Sequence, residues 1–168
     1  MFILTTIAVE SFDLKCSAER FGNSVIGDAE FCKAYNLKIT SKNEEITSVN
    51  GRRKPTTFQG LYIKDQTVHY LPKGIDKLFP NLKGLIVWSS HLKSLTQNDL
   101  KPMRQLVHVD FMNNDLESLD RNLFDFNLEL TFVGFADNKL KKVGMFVLAK
   151  LKKLKSDNFS GNPPIIYE

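Results

Sequence analysis

The sequence has little cysteine and less tryptophan: Cys16 and Cys32 are its only cysteines, and Trp88 is its only tryptophan. Two cysteines exclude a disulfide-dense scaffold. With no Cys-x-x-Cys pair and no neighbouring pair of histidines, they do not outline a zinc site either. No apolar run approaches 18 residues, which excludes a transmembrane helix within the chain. Gly-x-Ser-x-Gly, His-Glu-x-x-His and the phosphate-binding glycine loop are all missing. No metal or cofactor is therefore expected. No aromatic stacking module or basic recognition helix is visible, which argues against a nucleic-acid partner.

What remains is an ordinary soluble composition in 168 residues, enough for one domain with a buried core. A net charge of +4 predicts mild attraction to anionic surfaces and nothing sharper. The first residues, MFILTTIAV, are apolar and uncharged, and Glu10 and Ser11 follow. Residues 1–11 read as a short or degenerate signal peptide without the usual basic start, or as a first strand of the domain. Cys16 and Cys32 can close one disulfide, worth roughly 3 kcal/mol through loop entropy, or remain buried thiols. A leader and a disulfide together point to secretion.

The organising feature is an internal repeat. In LVHVDFMNNDLESL, apolar residues fall at Leu106, Val109, Phe111, Leu116 and Leu119, with Asn114 between them. A step of 24 residues forward gives Leu130, Val133, Phe135, Leu140 and Val143, with Asn138 in the same slot. One step back gives Leu82, Leu85, Val87, Leu92 and Leu95 with Ser90, and another gives Phe58, Leu61, Ile63, Val68 and Leu71 with Gln66. The last step forward gives Leu154, Phe159 and Asn162, with Asp157 breaking the apolar pattern. Units therefore begin at 58, 82, 106, 130 and 154 without an insertion.

This spacing predicts short strands whose alternate side chains point inward, stacked so that each unit covers the next. The Asn slot falls where the chain leaves the strand, where a side-chain amide can bond the buried backbone of adjacent turns. Gln66 can imitate that role and Ser90 only in part, so the first two full units should be less regular there.

The pattern resembles the leucine-rich-repeat template LxxLxLxxNxL over residues 58–162, in its 24-residue extracellular class, and is similar to small secreted insect leucine-rich-repeat proteins. The resemblance implies an α/β repeat solenoid: a horseshoe with a concave parallel sheet and short irregular or helical convex segments. Leu78, Leu100, Met103, Leu123, Phe124, Leu148 and Leu151 would fill its convex side, where Pro72, Pro80 and Pro102 argue against long helices. The stretch 145–154 is the best candidate for a helical turn.

Residues 12–57 read as an N-terminal cap carrying the cysteine pair, a strand-like run at 34–40, strand then turn at 46–51, and a polar loop at 51–57. At the far end, residues 163–168 follow Asn162, where secreted members of the family often begin a cysteine cap. This segment forms a minimal lid, or belongs to a truncated chain, or is covered by another subunit.

Function is expected on the concave face. The register places Tyr62, Ile86, Trp88, Met112 and Phe132 outward together, with Lys64, His108 and Asp110 as polar neighbours. Exposed aromatic residues of this kind mark interaction sites, and the alternative is that they pack sideways and are covered. A non-enzymatic protein partner is the expected ligand, and Trp88→Ala is expected to weaken it with little loss of folding. Self-association through the uncapped C-terminal end is the alternative.

The lysines of 139–155 form either a basic stripe for anionic glycan or lipid, or the solvent positions of the repeat; the register favours the latter. Asn158-Phe159-Ser160 is a glycosylation sequon on the last strand. His108 and Asp110 share one face and are the only residues that hint at acid–base chemistry, though exposed polar positions explain them as well.

Overall fold

In the computed structural model the described residues are 9–23, 26–51 and 54–168. Residues 1–8 of the leader-like stretch lie outside them, as do Arg52 and Arg53 of the polar loop. The chain forms β1 (Glu10–Asn23), β2 (Gly27–Ala34), β3 (Lys38–Ile39), β4 (Glu44–Asn50), β5 (Gly60–Lys64), β6 (Thr67–Val68), α1 (Ile75–Leu78), β7 (Gly84–Trp88), α2 (Gln97–Leu100), β8 (His108–Asp110), β9 (Ser118–Leu119), β10 (Phe132–Gly134), β11 (Lys142–Val143), β12 (Ser156–Asn158) and β13 (Ile166–Tyr167).

Eight strands make one sheet, ordered β12-β10-β8-β7-β5-β2-β1-β4. Leu61 lies opposite Leu85, Leu85 opposite Val109, Val109 opposite Val133, and Val133 opposite Asp157. Each step is one 24-residue unit, so the sequence period is the period of the sheet. Parallel neighbours need a crossover, and the rest of each unit supplies it. The repeat strands pair parallel, and the antiparallel pairing in the sheet is the β1–β2 hairpin of the N-terminal segment, which the repeat did not foretell. Two narrower ladders, β13-β11-β9 and β3-β6, accompany the main sheet.

Alternation sends one set of side chains into a single continuous core. It runs from Leu14 through Leu61, Leu85, Val109 and Val133 to Leu151. Phe111, Phe135 and Phe159 stack through this core, with successive ring centroids 5.4 Å apart. Asp157 takes the slot of these leucines and valines but stands exposed on β12, the edge strand of the sheet among the described residues.

At each strand exit the backbone turns through the left-handed region. Asp65, Ser89, Asn113, Asp137 and Gly161 all have φ between 49° and 70°, one per unit. The next residue is the Asn slot. Asn114 accepts the Ser90 and Leu92 N–H groups at 3.0 Å and donates to the carbonyls of Val87 at 2.7 Å and Phe111 at 2.9 Å. Asn138 repeats the arrangement between Leu116, Phe111 and Phe135, and Asn162 between Leu140, Phe135 and Phe159.

The slot is thinner earlier in the chain. Ser90 bonds Gln66 N–H and the Trp88 carbonyl, and Gln66 reaches Leu37 N–H. A hydroxyl has one proton to donate where an amide has two, so Ser90 ties fewer backbone groups.

Two local expectations change. The stretch 145–154 holds a chain of turns rather than a helix, interrupted by Phe146 at φ 65°. The helical turns are instead α1 and α2, the latter with Thr96 and Asp99 as a capping box. In the run 34–40 only Ala34, the end of β2, and β3 are strand, because Asn36 at φ 54° breaks the run between them. Cys16 on β1 and Cys32 on β2 are joined in a disulfide, which staples the hairpin.

Candidate protein-binding face

The face of the sheet opposite the main core has two halves. Over its first half lies the β1–β2 hairpin. Ala29 and Phe31 pack with Tyr62 and Ile86 into a second buried cluster, flanked by Phe21, Ile26 and Trp88. The Phe21 ring meets Phe31 at 4.8 Å and Tyr62 edge-on at 4.9 Å, and Tyr62 meets Trp88 edge-on at 5.5 Å. Burial raises the Tyr62 pKa above its ordinary value, with Glu19 and Asp65 adding to the effect.

Tyr62 and Ile86, expected outside, are therefore inside. Tyr62 is 4% exposed and Ile86 is 2% exposed. Alternation does aim both away from the main core, but the hairpin covers them. It lies outside the 24-residue register, so the repeat carried no sign of its path. One signal was available: the slot that holds His108 and Phe132 holds Gly60 and Gly84 earlier. A side chain on either glycine would run into the Phe31 ring.

The second half of the face, from Trp88 onward, has no such cover among the described residues. Trp88, Asp110, Met112 and Phe132 are half-buried, and Ser156, Asn158 and Ser160 are exposed. His108, expected outside, is buried, because Phe132 stacks on its ring at 4.5 Å with 12° between planes. Burial lowers its pKa from 6.5 to about 4, so the imidazole is neutral at pH 7. Its Nδ1 has no hydrogen-bond partner among the described residues.

Asp110 accepts the Met112 N–H at 3.2 Å. The Trp88 indole N–H is shielded from solvent and closes no hydrogen bond, yet lies near enough to favour the carboxylate. Burial outweighs both and raises the Asp110 pKa. Gly134 makes the room: a Cβ there would stand 2.4 Å from Asp110 Oδ1. Lys64 is exposed beside Asp65, at 4.0 Å. The structure thus brings Trp88, His108, Asp110, Met112 and Phe132 together on the open half, while Tyr62 and Ile86, which adjoin Trp88 and Asp110, are covered and Lys64 stands exposed beside Trp88.

The lysine run is largely answered by acids of the preceding units or the last residue. Lys139 pairs with Asp115 at 2.6 Å, Lys142 with Glu168 at 2.9 Å, Lys150 with Asp125 at 2.8 Å and Lys153 with Glu129 at 2.6 Å. Asp115 also faces His91 at 3.2 Å, and Lys139 is the first cause of its lowered pKa.

Sequence reasoning missed Asn127. It is fully buried on the return path and donates to the carbonyls of Leu100 at 3.0 Å and Met103 at 2.9 Å. Its slot is apolar in the neighbouring units, as Met103 and Leu151, so periodicity did not mark it.

Among the described residues no helix is long and apolar enough to cross a membrane. Nor is any group of three or more His, Cys, Asp or Glu placed to hold a metal ion.

No family model matches the sequence, and a search of curated proteins gives no match. The fold is similar to a chain in the structure of the Toll–Spatzle complex, described as a molecular hub in Drosophila development and innate immunity. The TM-score is 0.60 at 21% identity, over 71% of this chain. The matched region spans 17% of that chain's length.

Proposed function

We propose that the chain is a leucine-rich-repeat solenoid acting as a non-enzymatic, extracellular protein-binding module, with residues 12–57 as its cap and 58–162 as its repeats. The observation that carries this reading is the open half of the sheet face, where Trp88, Met112 and Phe132 stay partly exposed beside Asp110. A partly apolar concave face with aromatic anchors is what protein recognition uses. The strand register, one step per 24 residues, supports the solenoid. The similar structure is itself a complex of that other protein. The disulfide supports an oxidising compartment, where Asn158, exposed on the edge strand, would be open to glycosylation.

The burial of most of the His108 imidazole speaks against catalysis by His108 and Asp110. Assay against hydrolase substrates with His108→Ala as control tests that part. The binding reading is tested by affinity capture from extracellular fluid. Wild type is expected to retain a partner that a folded Trp88→Ala, Met112→Ala and Phe132→Ala variant loses. Equal capture by both proteins would remove this face as the interface.

A second reading rests on the other end of the stack. Val143, Phe146, Leu148, Phe159 and Tyr167 line an open cavity of about 380 Å³ beside the edge strand β12. Phe146 is 75% exposed and Tyr167 60%. A second copy docking there would cover both the apolar surface and the unpaired strand edge.

A further inference from the structure

The open half of the face has an unusual charge arrangement. In β8, β10, β12 and the residues that follow on the same side, the outward positions are His108, Asp110, Met112, Phe132, Gly134, Ala136, Ser156, Asn158 and Ser160. None is lysine or arginine, in a chain whose net charge is +4. Asp110 is the one charged group among them. It has no cation beside it among the described residues, whereas Glu19, Glu45, Asp115, Asp125, Glu129 and Glu168 each have one.

Its surroundings complete the case. A half-buried carboxylate without a counter-charge is costly, and a partner that supplies the charge relieves that cost. The nearby walls are π systems and a thioether: Trp88, the Phe132 ring stacked on neutral His108, and Met112. A planar cation matches this set. Guanidinium bonds a carboxylate through two parallel N–H groups and stacks on aromatic rings, which an ammonium does less well.

We propose that Asp110, set among Trp88, Met112 and Phe132, receives an arginine side chain of the protein partner. The inference rests on the concave face being the interface and adds the chemistry of what it holds. Gly134 is then a positioning residue. It leaves the carboxylate its place, and any larger residue displaces it.

Trp88, as the only tryptophan, reports on the site by its own fluorescence. The probes are the peptide Ac-Gly-Arg-Gly-Arg-Gly-amide and its counterpart with citrulline, a neutral isostere, at each arginine. At low salt the arginine peptide is expected to change Trp88 fluorescence saturably. The citrulline peptide should bind at least tenfold more weakly. Asp110→Asn keeps the size of the side chain and its acceptor for Met112 N–H, and should lose the arginine preference while its melting temperature stays within a few degrees. Gly134→Ala should weaken the arginine peptide in the same direction. Equal response to the two peptides, or unchanged arginine binding by Asp110→Asn, would overturn the assignment. Capture of a partner by wild type but not by the Trp88, Met112 and Phe132 variant would then still stand, so the two readings fail separately.

Discussion

Phe31 lies across Gly60 so closely that a Cβ on the glycine would stand 2.1 Å from the ring. The hairpin and the repeat sheet meet through this contact, and a methyl group there has nowhere to go. Gly60→Ala is expected to cost about 3 kcal/mol, at the upper end of overpacking effects, by lifting Phe31 off Tyr62 and Ile86. Chemical denaturation measures the loss. Tyr62 should become more reactive to iodination in the same variant, since its cover is removed. A stable Gly60→Ala with protected Tyr62 would mean that the hairpin does not pack as described.

The disulfide should matter for the same cover. Cys16 and Cys32 close a loop with a sequence separation of 16, which in the chain-entropy view stabilises by about 3 kcal/mol. Replacing both by Ala should lower stability by about that amount. Limited proteolysis should then cut first between β1 and β2. Cleavage first inside the repeats would contradict a cap held by this bond.

The Asn slot offers a graded test. Asn114→Ala strands the N–H groups of Ser90 and Leu92 and the Val87 carbonyl, while the Phe111 carbonyl keeps its bond from Asn138. Each buried group left without a partner costs about 1–3 kcal/mol, only partly recovered by relaxation, so a loss of about 4 kcal/mol is expected. Ser90→Ala breaks two weaker links and should cost about 1 kcal/mol. Denaturation midpoints of the two variants check the order; a reversal would mean the slot does not carry the turns.

These tests follow the line between what the sequence made legible and what it hid. Leu61, Leu85, Val109 and Val133, and the slots of Gln66, Ser90, Asn114, Asn138 and Asn162, could be placed because one offset relates every unit to the next. In a stacked fold that offset also sets which residues touch. Tyr62 and Ile86 were misread because their cover comes from Phe21, Ile26 and Phe31, in a hairpin outside that offset. His108 was misread because alternation gives the side of the sheet, while stacking on Phe132 decides exposure. Trp88 sits between the cases: it faces outward, but its edge-on contact with Tyr62 ties it to the hairpin. Trp88→Ala should therefore cost some stability as well as binding.

His108 gives the fold a pH dependence whose sign can be worked out. Its folded pKa is about 4, below the ordinary 6.5, so between these values the unfolded chain binds a proton that the folded chain does not. Stability should therefore fall as pH drops from about 6.5 to 4, by about 3 kcal/mol from this group. Asp110 opposes it at the acid end, since its raised pKa favours the folded state once protonated. In His108→Phe the decline across this window should flatten, with the stacking on Phe132 preserved. Parallel melting curves for wild type and variant, taken at several pH values, test it. An unchanged slope would place the imidazole in contact with water.

The exposed end of the stack yields the last test, and it bears on the self-association reading. Phe146 and Tyr167 are the most exposed aromatic residues of that end, and they flank an apolar cavity rather than standing alone. Burying such surface contributes about 25 cal/mol per Å², so docking of a second copy should depend steeply on these two rings. Light scattering across a range of concentrations should show mass rising toward a dimer for wild type. Phe146→Asp should hold the protein monomeric without changing its melting temperature, because the side chain has almost no buried contact to lose. Phe132→Ala, on the sheet face, should leave the dimer intact. Monomeric wild type at every concentration would remove the end as a self-association surface and leave the sheet face as the site of binding.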